Sequence, residues 1–380
     1  MRILQLGKFY PIRGGVEKVM WNLTRGLAGR GIACDMLCAK LPEDGIDLED
    51  RPYYRREDGV ELFRFPDGRT VYCVKAWAKK AATMLSPAMV RWLRSHRKEY
   101  DLIHVHHPDP MAALALRLSG FQGKVVLHWH SDIISQQFLL ALFKPLQRWL
   151  IHRSGVIVGT TPPYLKGSPY LRGVQEKCVA VPIGIDPVRN DPRKAETFRS
   201  RYPGKRVLLT IGRLVPYKGY RYLVDALALL PEEYVLVLGG IGPLQEELEA
   251  QIHSCGLQER VTMLGYVGPE DLPGWFAACD LFVLSSVMKT EAFGIVQVEA
   301  MSCGKPVVAT QISESGVPWV NVDGVSGRNV PPCDAQALAR AIQEVAENQA
   351  RYGAGARRLY EERYTFDRMI DQIQAVYDRL

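Results

Sequence analysis

The sequence has no apolar run near the 20 residues that a membrane-spanning helix requires, and its opening M-R-I-L-Q-L-G lacks a long signal-type core. A cytoplasmic chain that does not span a membrane is therefore expected. The eight cysteines (34, 38, 73, 178, 255, 279, 303 and 333) are scattered and form no C-x-x-C pair. Their apolar or turn-like surroundings speak for reduced structural thiols rather than a disulfide framework or a zinc site. G-x-G-x-x-G is missing, which leaves a nicotinamide-type fingerprint with little support. There is also no convincing D-x-D motif, no internal repeat and no low-complexity tract.

What is present suits a soluble globular protein, with 47% apolar and 23% charged residues. At 380 residues the chain is too long for one compact core, so two domains are expected. The net charge of +7 is unevenly spread, at +11 over residues 1–190 and −4 over the remainder. An anionic partner for the first half follows from that asymmetry.

The first half alternates short apolar runs with helical patterns. Strands are expected at 3–6, 102–105, 125–129, 156–158 and 179–182, with helices at 110–118 and 138–152. Val16, Val19, Met20, Leu23 and Leu27 form a helical stripe after the first strand. A second run places strands at 206–212, 234–240, 260–265, 280–286 and 306–310, with room for a helix between each pair. Continuous apolar strands alternating with helices imply a parallel sheet covered on both faces. The expected organisation is α/β: a domain over 1–189, a polar linker over 190–205 and a second domain over 206–363. A closing helix at about 364–380 is expected to pack back on the first domain. In open α/β sheets ligands bind past the carboxyl ends of the strands, so two facing domains would enclose a cleft.

The loops after the strands are thus the ones to read for chemistry. G-K-F-Y-P-I-R-G-G ends on Gly14 and Gly15 at a helix start, where free N–H groups and the helix dipole favour an anion. A flexible turn explains the same glycines equally well. G-R-L-V-P-Y-K-G, residues 212–219, carries Arg213 and Lys218. Two cations at a strand's carboxyl end are well placed to grip a diphosphate, and the alternative is a pair of solvated surface charges. Six of the eight histidines fall within 104–152, in H-V-H-H-P, H-W-H-S-D and at His152. Metal binding is conceivable at such density, yet no third-ligand spacing resembles a known zinc pattern. A structural role fits any one of them, except that His130, at a strand–loop junction near Asp132, fits hydrogen bonding or proton transfer with a substrate hydroxyl.

E-A-F-G-I-V-Q-V-E, residues 291–299, spans a helix start. Glu291 precedes the helix and Glu299 lies one to two turns inside it, so the two carboxylates do not meet side by side. The amides of Phe293, Gly294 and Ile295 are helix-start donors open to an anion or a hydroxyl. Glu291 and Glu299 then suit hydroxyls at two ends of one elongated ligand, although two ordinary surface charges would read the same way.

Taken together, these segments and V-P-I-G-I-D at 181–186 resemble the retaining glycosyltransferases of family 4, which have the GT-B fold of two facing Rossmann-like, doubly wound parallel-sheet domains. The most specific block is E-A-F-G-I-V-Q-V-E-A-M-S-C-G-K-P-V-V-A-T. The resemblance implies an NDP-sugar donor held mainly by the second domain and an acceptor held mainly by the first. It assigns Glu291 to the donor sugar, Glu299 to the ribose, and Arg213 and Lys218 to the diphosphate. Gly14 and Gly15 match the loop approaching the phosphates, and His130 the histidine near the reacting centre. Phe293, Gly294 and Ile295 match backbone contacts to sugar and phosphate. The family's usual G-x-G appears here as G-G-I-G, residues 239–242. No metal or other cofactor is implied, and retention is expected through same-face attack.

The implied reaction builds a surface polysaccharide of O-antigen or exopolysaccharide type, with GDP-mannose ahead of UDP-hexoses as donor. A GT-B sugar-nucleotide epimerase, a nicotinamide oxidoreductase and a non-catalytic nucleotide-binding module are the alternatives; nucleic acid is not an expected partner. Residues 75–98 hold Lys75, Lys79, Lys80, Arg91, Arg94, Arg97 and Lys98 without an acid, interspersed with Trp77, Met84, Leu85, Met89, Trp92 and Leu93. This basic amphipathic stretch is expected to contact an anionic membrane, on the inner face of the plasma membrane, where a lipid-linked acceptor would lie. A helix packed on the first domain is the alternative.

Overall fold

The computed structural model describes the chain except residues 8–14, 45–52, 58, 81–82, 134–136 and 190, and the side chains of 137–140 and 142. It divides into a first unit, Met1–Ile183 with Phe366–Leu380, and a second, Gly184–Thr365.

The first unit runs β1 (Ile3–Leu6), α1 (Gly15–Ala28), β2 (Cys34–Lys40), β3 (Tyr53–Glu57), β4 (Val60–Arg64), β5 (Thr70–Lys75), β6 (Ala78–Lys80), β7 (Thr83–Leu85), α2 (Pro87–His96), β8 (Leu102–His107), α3 (Pro110–Ser119), β9 (Lys124–Trp129), α4 (Gln137–Arg153), β10 (Val156–Gly159), α5 (Pro162–Gly167) and β11 (Cys178–Ala180). Among the described residues nine strands form one sheet, in the order β11-β10-β9-β8-β1-β2-β5-β4-β3. The parallel strands β1, β2, β8 and β9 are buried along almost their whole length, as a sheet covered on both faces requires. Helix starts follow the chemistry of the chain: Ser86, Asp109 and Thr161 each accept a backbone N–H from inside the helix, and a proline follows each.

The second unit runs α6 (Pro192–Arg199), β12 (Arg206–Ile211), α7 (Tyr220–Ala228), β13 (Tyr234–Gly239), α8 (Gln245–Ser254), β14 (Val261–Gly265), α9 (Leu272–Ala278), β15 (Leu281–Leu284), α10 (Ile295–Ser302), β16 (Val307–Thr310), α11 (Val317–Val320), β17 (Gly327–Val330), α12 (Ala335–Glu347) and α13 (Gln349–Leu359). Its described strands form a six-stranded sheet in the order β14-β13-β12-β15-β16-β17, and every pairing is parallel.

The last helix, α14 (Phe366–Asp378), belongs to the first unit and packs on α1. A Cβ on Gly26 of α1 would lie 2.4 Å from Cδ1 of Ile370, so glycine permits the close contact. Arg30 pairs with Asp371 at 2.6 Å along the same seam.

Two stretches differ from the sequence reading. The 190–205 segment, expected as a linker, contains α6, capped by Asp191 and packed on α9 in the second unit. Phe198 stacks on Trp275 at 4.2 Å, and Lys194 pairs with Asp271 at 2.7 Å. Polar composition concealed a helix that buries one aromatic side chain. Residues 75–98 do not form one amphipathic element but the β6–β7 hairpin followed by α2. Met89, Trp92 and Leu93 of α2 are buried in the first unit, so its apolar face is already covered. Trp77, by contrast, is 72% exposed. Lys75, Lys79, Lys80, Arg91 and Arg94 are exposed as well. Among the described residues no helix is long and apolar enough to cross a membrane.

Candidate functional site

In the second unit the chain moves outward from β12 to β13 and β14, then returns to β15 on the other side of β12. Loops leaving β12 and β15 therefore diverge, which opens a crevice at their carboxyl ends. The first loop carries Arg213 and Lys218, and the second carries Glu291. Lys218 Nζ donates to Glu291 Oε2 at 2.5 Å, and Ser286 Oγ donates to the same oxygen at 3.2 Å. Both partners are about nine-tenths buried, so the pair is only weakly screened by water.

Close backbone approach holds these loops together. Ser285 Oγ donates to the Lys218 carbonyl at 3.0 Å, and the Val287 amide donates to the Tyr217 carbonyl at 2.8 Å. Gly219 has φ +66°, and a Cβ there would lie 2.2 Å from the Ser285 carbonyl oxygen. Any other residue would both strain the backbone and push the loops apart. In G-G-I-G a Cβ on Gly240 would fall 1.8 Å from the Gly212 carbonyl oxygen, so this motif seats the β13 loop against the β12 loop.

Gly294 caps α10 in the left-handed conformation without a side-chain cap, and Ile295 opens the helix. The Gln297 amide donates to the Gly294 carbonyl at 3.0 Å, while the amides of Ile295 and Val296 before it have no intrahelical partner. Phe293 and Glu299 are buried, and Gln297 Nε2 donates to the Phe293 carbonyl at 2.6 Å, fixing the turn. Arg213 is exposed, with Nη2 3.4 Å from Tyr217 Oη. Thus Arg213, Lys218, Glu291, Phe293, Gly294, Ile295 and Glu299 gather on neighbouring elements of one unit. Sequence reasoning did not single out Ser286 or Tyr220. The Tyr220 hydroxyl is buried without a hydrogen-bond partner among the described residues, and burial, reinforced by Glu291, holds its pKa well above the usual value.

The first unit reverses between β1 and β8. Gly14 lies outside the described residues; Gly15 opens α1 after β1. His104 and His106 on β8, with His128 on β9 and His130 just beyond it, form a stacked grid. His128 and His130 lie 4.0 Å apart at 5°, and His106 and His130 5.2 Å apart at 15°. Burial, with neighbouring histidines adding to it, holds the pKa of His104 and of His106 well below the usual value; burial alone lowers that of His128 to about 3. His106 Nδ1 is 2.9 Å from His130 Nε2, and His106 Nε2 is 2.8 Å from Gln5 Oε1. Gln5 Nε2 donates to Tyr377 Oη at 3.2 Å, and that oxygen lies 2.6 Å from His104 Nδ1.

Ring nitrogens of His106, His128 and His130 come within 4.8 Å of one another, close enough to suggest a cation site. His106 Nδ1 and His130 Nε2, however, already face each other in a hydrogen bond at 2.9 Å, which a cation would have to break. Asp132, expected beside His130, accepts from Trp129 Nε1 at 2.9 Å and from Ser168 Oγ at 2.7 Å. Gln5 and Tyr377 were not anticipated. For Gln5 a signal existed, a lone polar residue inside the buried apolar strand I-L-Q-L, whereas nothing in the sequence ties Tyr377 to β1.

Residues 13–189 match the family described as Glycosyltransferase Family 4, and residues 193–363 match Glycosyl transferases group 1. Among solved structures, the chain resembles Anabaena HepE in complex with UDP at a TM-score of 0.77 and 24% identity, over 100% of both chains, a likeness of fold. Two parallel-sheet α/β units with these matches define a GT-B glycosyltransferase. The chain is 32% identical over 389 residues to O-antigen chain mannosyltransferase C of Escherichia coli, covering 100% of this chain and 99% of that protein. It is also 30% identical over 373 residues to D-rhamnosyltransferase WbpZ of Pseudomonas aeruginosa, covering 96% and 92%. The chain belongs to glycosyltransferase family 4.

Proposed function

We propose that the protein transfers a hexose from an NDP-sugar to a saccharide acceptor with retention of anomeric configuration, in the assembly of a surface polysaccharide. The observation that carries this reading is the buried Lys218–Glu291 pair at the switch point of the second sheet. A cation and a carboxylate held side by side suit a ligand that presents a diphosphate next to sugar hydroxyls.

As the bond from the sugar's C1 to the diphosphate oxygen breaks, negative charge grows on the leaving group. Arg213, Lys218 and the first-turn amides of α10, from Phe293 to Ile295, stabilise it. Glu291 accepts hydrogen bonds from the sugar hydroxyls and Glu299 from the ribose. The acceptor hydroxyl attacks C1 from the face the diphosphate is leaving, and a phosphate oxygen takes its proton. Fixed cations and amides carry out the electrostatic work, so no metal is invoked. His130 in the first unit meets a substrate hydroxyl. The donor is GDP-mannose ahead of UDP-hexoses; the name of the E. coli relative, a mannosyltransferase, supports a mannosyl group. The acceptor is lipid-linked, and the exposed basic hairpin of the first unit meets the membrane surface.

A thermal-shift screen of GDP-mannose against UDP-glucose tests the donor, since a bound ligand raises the melting temperature by mass action. GDP-mannose should stabilise more strongly, and the reverse order overturns that choice. GDP release should then depend on added saccharide acceptor and persist in EDTA, and the product's anomeric coupling should match that of the donor. Loss of turnover in EDTA removes the metal-free mechanism, and an inverted product removes retention.

A further inference from the structure

We propose that the hydrogen-bond chain from Tyr377 through Gln5 and His106 holds a proton on Nε2 of His130, aimed at His106. Gln5 and Tyr377 thereby become positioning residues for the transfer reaction. This rests on the reading above that His130 meets a substrate hydroxyl.

Gln5 sets the direction of the chain because its amide has a donor end and an acceptor end. Nε2 faces the Tyr377 hydroxyl at 3.2 Å and Cys34 Sγ at 3.7 Å. Oε1 therefore accepts, and the partner 2.8 Å away is His106 Nε2, which must carry a hydrogen. Burial disfavours the charged form of His106, so the ring has only that one N–H, and its Nδ1 is an acceptor. The atom 2.9 Å from this nitrogen is His130 Nε2, which must then be the donor. At the other end Tyr377 accepts from Gln5 and donates its single hydrogen to His104 Nδ1 at 2.6 Å. Four hydrogen bonds thus use four protons, one each.

The chain is also rigid. Gln5, His104 and His106 are wholly buried, Tyr377 is 1% exposed, and Gln5, His104 and His106 sit on the adjacent parallel strands β1 and β8. Turning the Gln5 amide end for end would reverse every bond and make His130 Nε2 the acceptor. One buried amide therefore decides whether His130 donates or accepts at Nε2, and in the orientation observed it donates.

The test is two-bond ¹⁵N–¹H correlation NMR on the full chain labelled with [¹⁵N]histidine, the His130 signals being assigned by their loss in His130→Ala. We expect a proton on His130 Nε2 in the wild type; an unprotonated Nε2 overturns the proposal. Gln5→Met, similar in size but without a donor or acceptor, should leave His130 Nε2 only partly protonated. It should also lower kcat by about tenfold while leaving the KM for GDP-mannose unchanged. Gln5→Glu keeps an acceptor for His106 and should restore the proton on Nε2 and most of kcat. Tyr377→Phe, at the far end of the chain, should shift both readouts in the direction of Gln5→Met, and it serves if variants of the fully buried Gln5 fail to fold. Unchanged protonation of Nε2 in Gln5→Met or Tyr377→Phe overturns the assignment, and changed protonation with normal kcat overturns the positioning role. Normal turnover in His130→Ala has a different meaning: it removes the role given to His130, and positioning with it, and leaves the Nε2 proton standing.

Discussion

Lys218 and Glu291 are 73 positions apart, and their contact is what turns two loops into one site. Each residue was legible in the sequence, because each lies in a loop just past an apolar strand. Their pairing was not, since it depends on β12 and β15 being neighbours in the sheet, and strand order is not written in local spacing. The same holds for Gln5 and Tyr377, joined across almost the whole chain length. Removing one partner of a buried ion pair leaves the other charge without compensation, so Lys218→Met should lower stability by roughly 3 kcal/mol. Adding Glu291→Met should recover most of that loss. Urea denaturation of the two single variants and the double checks this, and a double variant that loses the sum of the two single losses would show that the pair does not couple. Glu291→Ala should keep binding GDP, which relies on the ribose and phosphate contacts, yet lose turnover. Titration calorimetry beside a turnover assay separates the two, and normal turnover rules out the role given to Glu291.

At the scale of elements, the strands that could be read were those buried on both faces, because burial demands an unbroken apolar run. The edge of the first sheet gave no such signal. Tyr53–Glu57 is exposed at every position, so Y-Y-R-R-E carries neither alternation nor a continuous apolar stretch. Its strand identity comes from antiparallel pairing with β4. Helix α6 was missed for the converse reason, since D-P at its start is a capping signal that polar composition outweighed in the reading. Strands β8 and β9 carry a further consequence. His104, His106 and His128 have their pKa values lowered by burial, so the unfolded chain binds more protons than the folded one below the ordinary histidine range. Their contribution is fully present above about pH 6.5 and is lost progressively as the pH falls towards about 3. At pH 5 each such histidine should cost about 2 kcal/mol. Melting temperatures measured between pH 7 and pH 5 should therefore fall steeply, and His128→Phe should flatten that slope. An unchanged slope in His128→Phe would mean that other groups govern the acid limb.

For the whole molecule, the charge asymmetry follows the two units, at +10 for the first and −3 for the second. The basic stretch of residues 75–98 resolves into a covered helix and an exposed hairpin, so the proposed lipid contact falls on Trp77, Lys79, Lys80 and their neighbours. The full chain should cosediment with vesicles containing anionic lipid at low salt, and release as salt shortens the Debye length. Lys79→Ala with Lys80→Ala should weaken partitioning by roughly thirtyfold, at about 1 kcal/mol for each lysine. Equal binding to neutral vesicles, or none to anionic ones, overturns the membrane assignment. The order of elements along the chain has one more consequence. Helix α14 completes the first unit, yet the whole of the second unit precedes it. On a translating ribosome the nascent first sheet must wait, its α1 seam uncovered and its histidine grid lacking the tyrosine hydroxyl, until some 180 further residues have emerged. At cellular elongation speeds that interval is on the order of ten seconds or more, long enough for a chaperone to occupy the seat that α14 later takes.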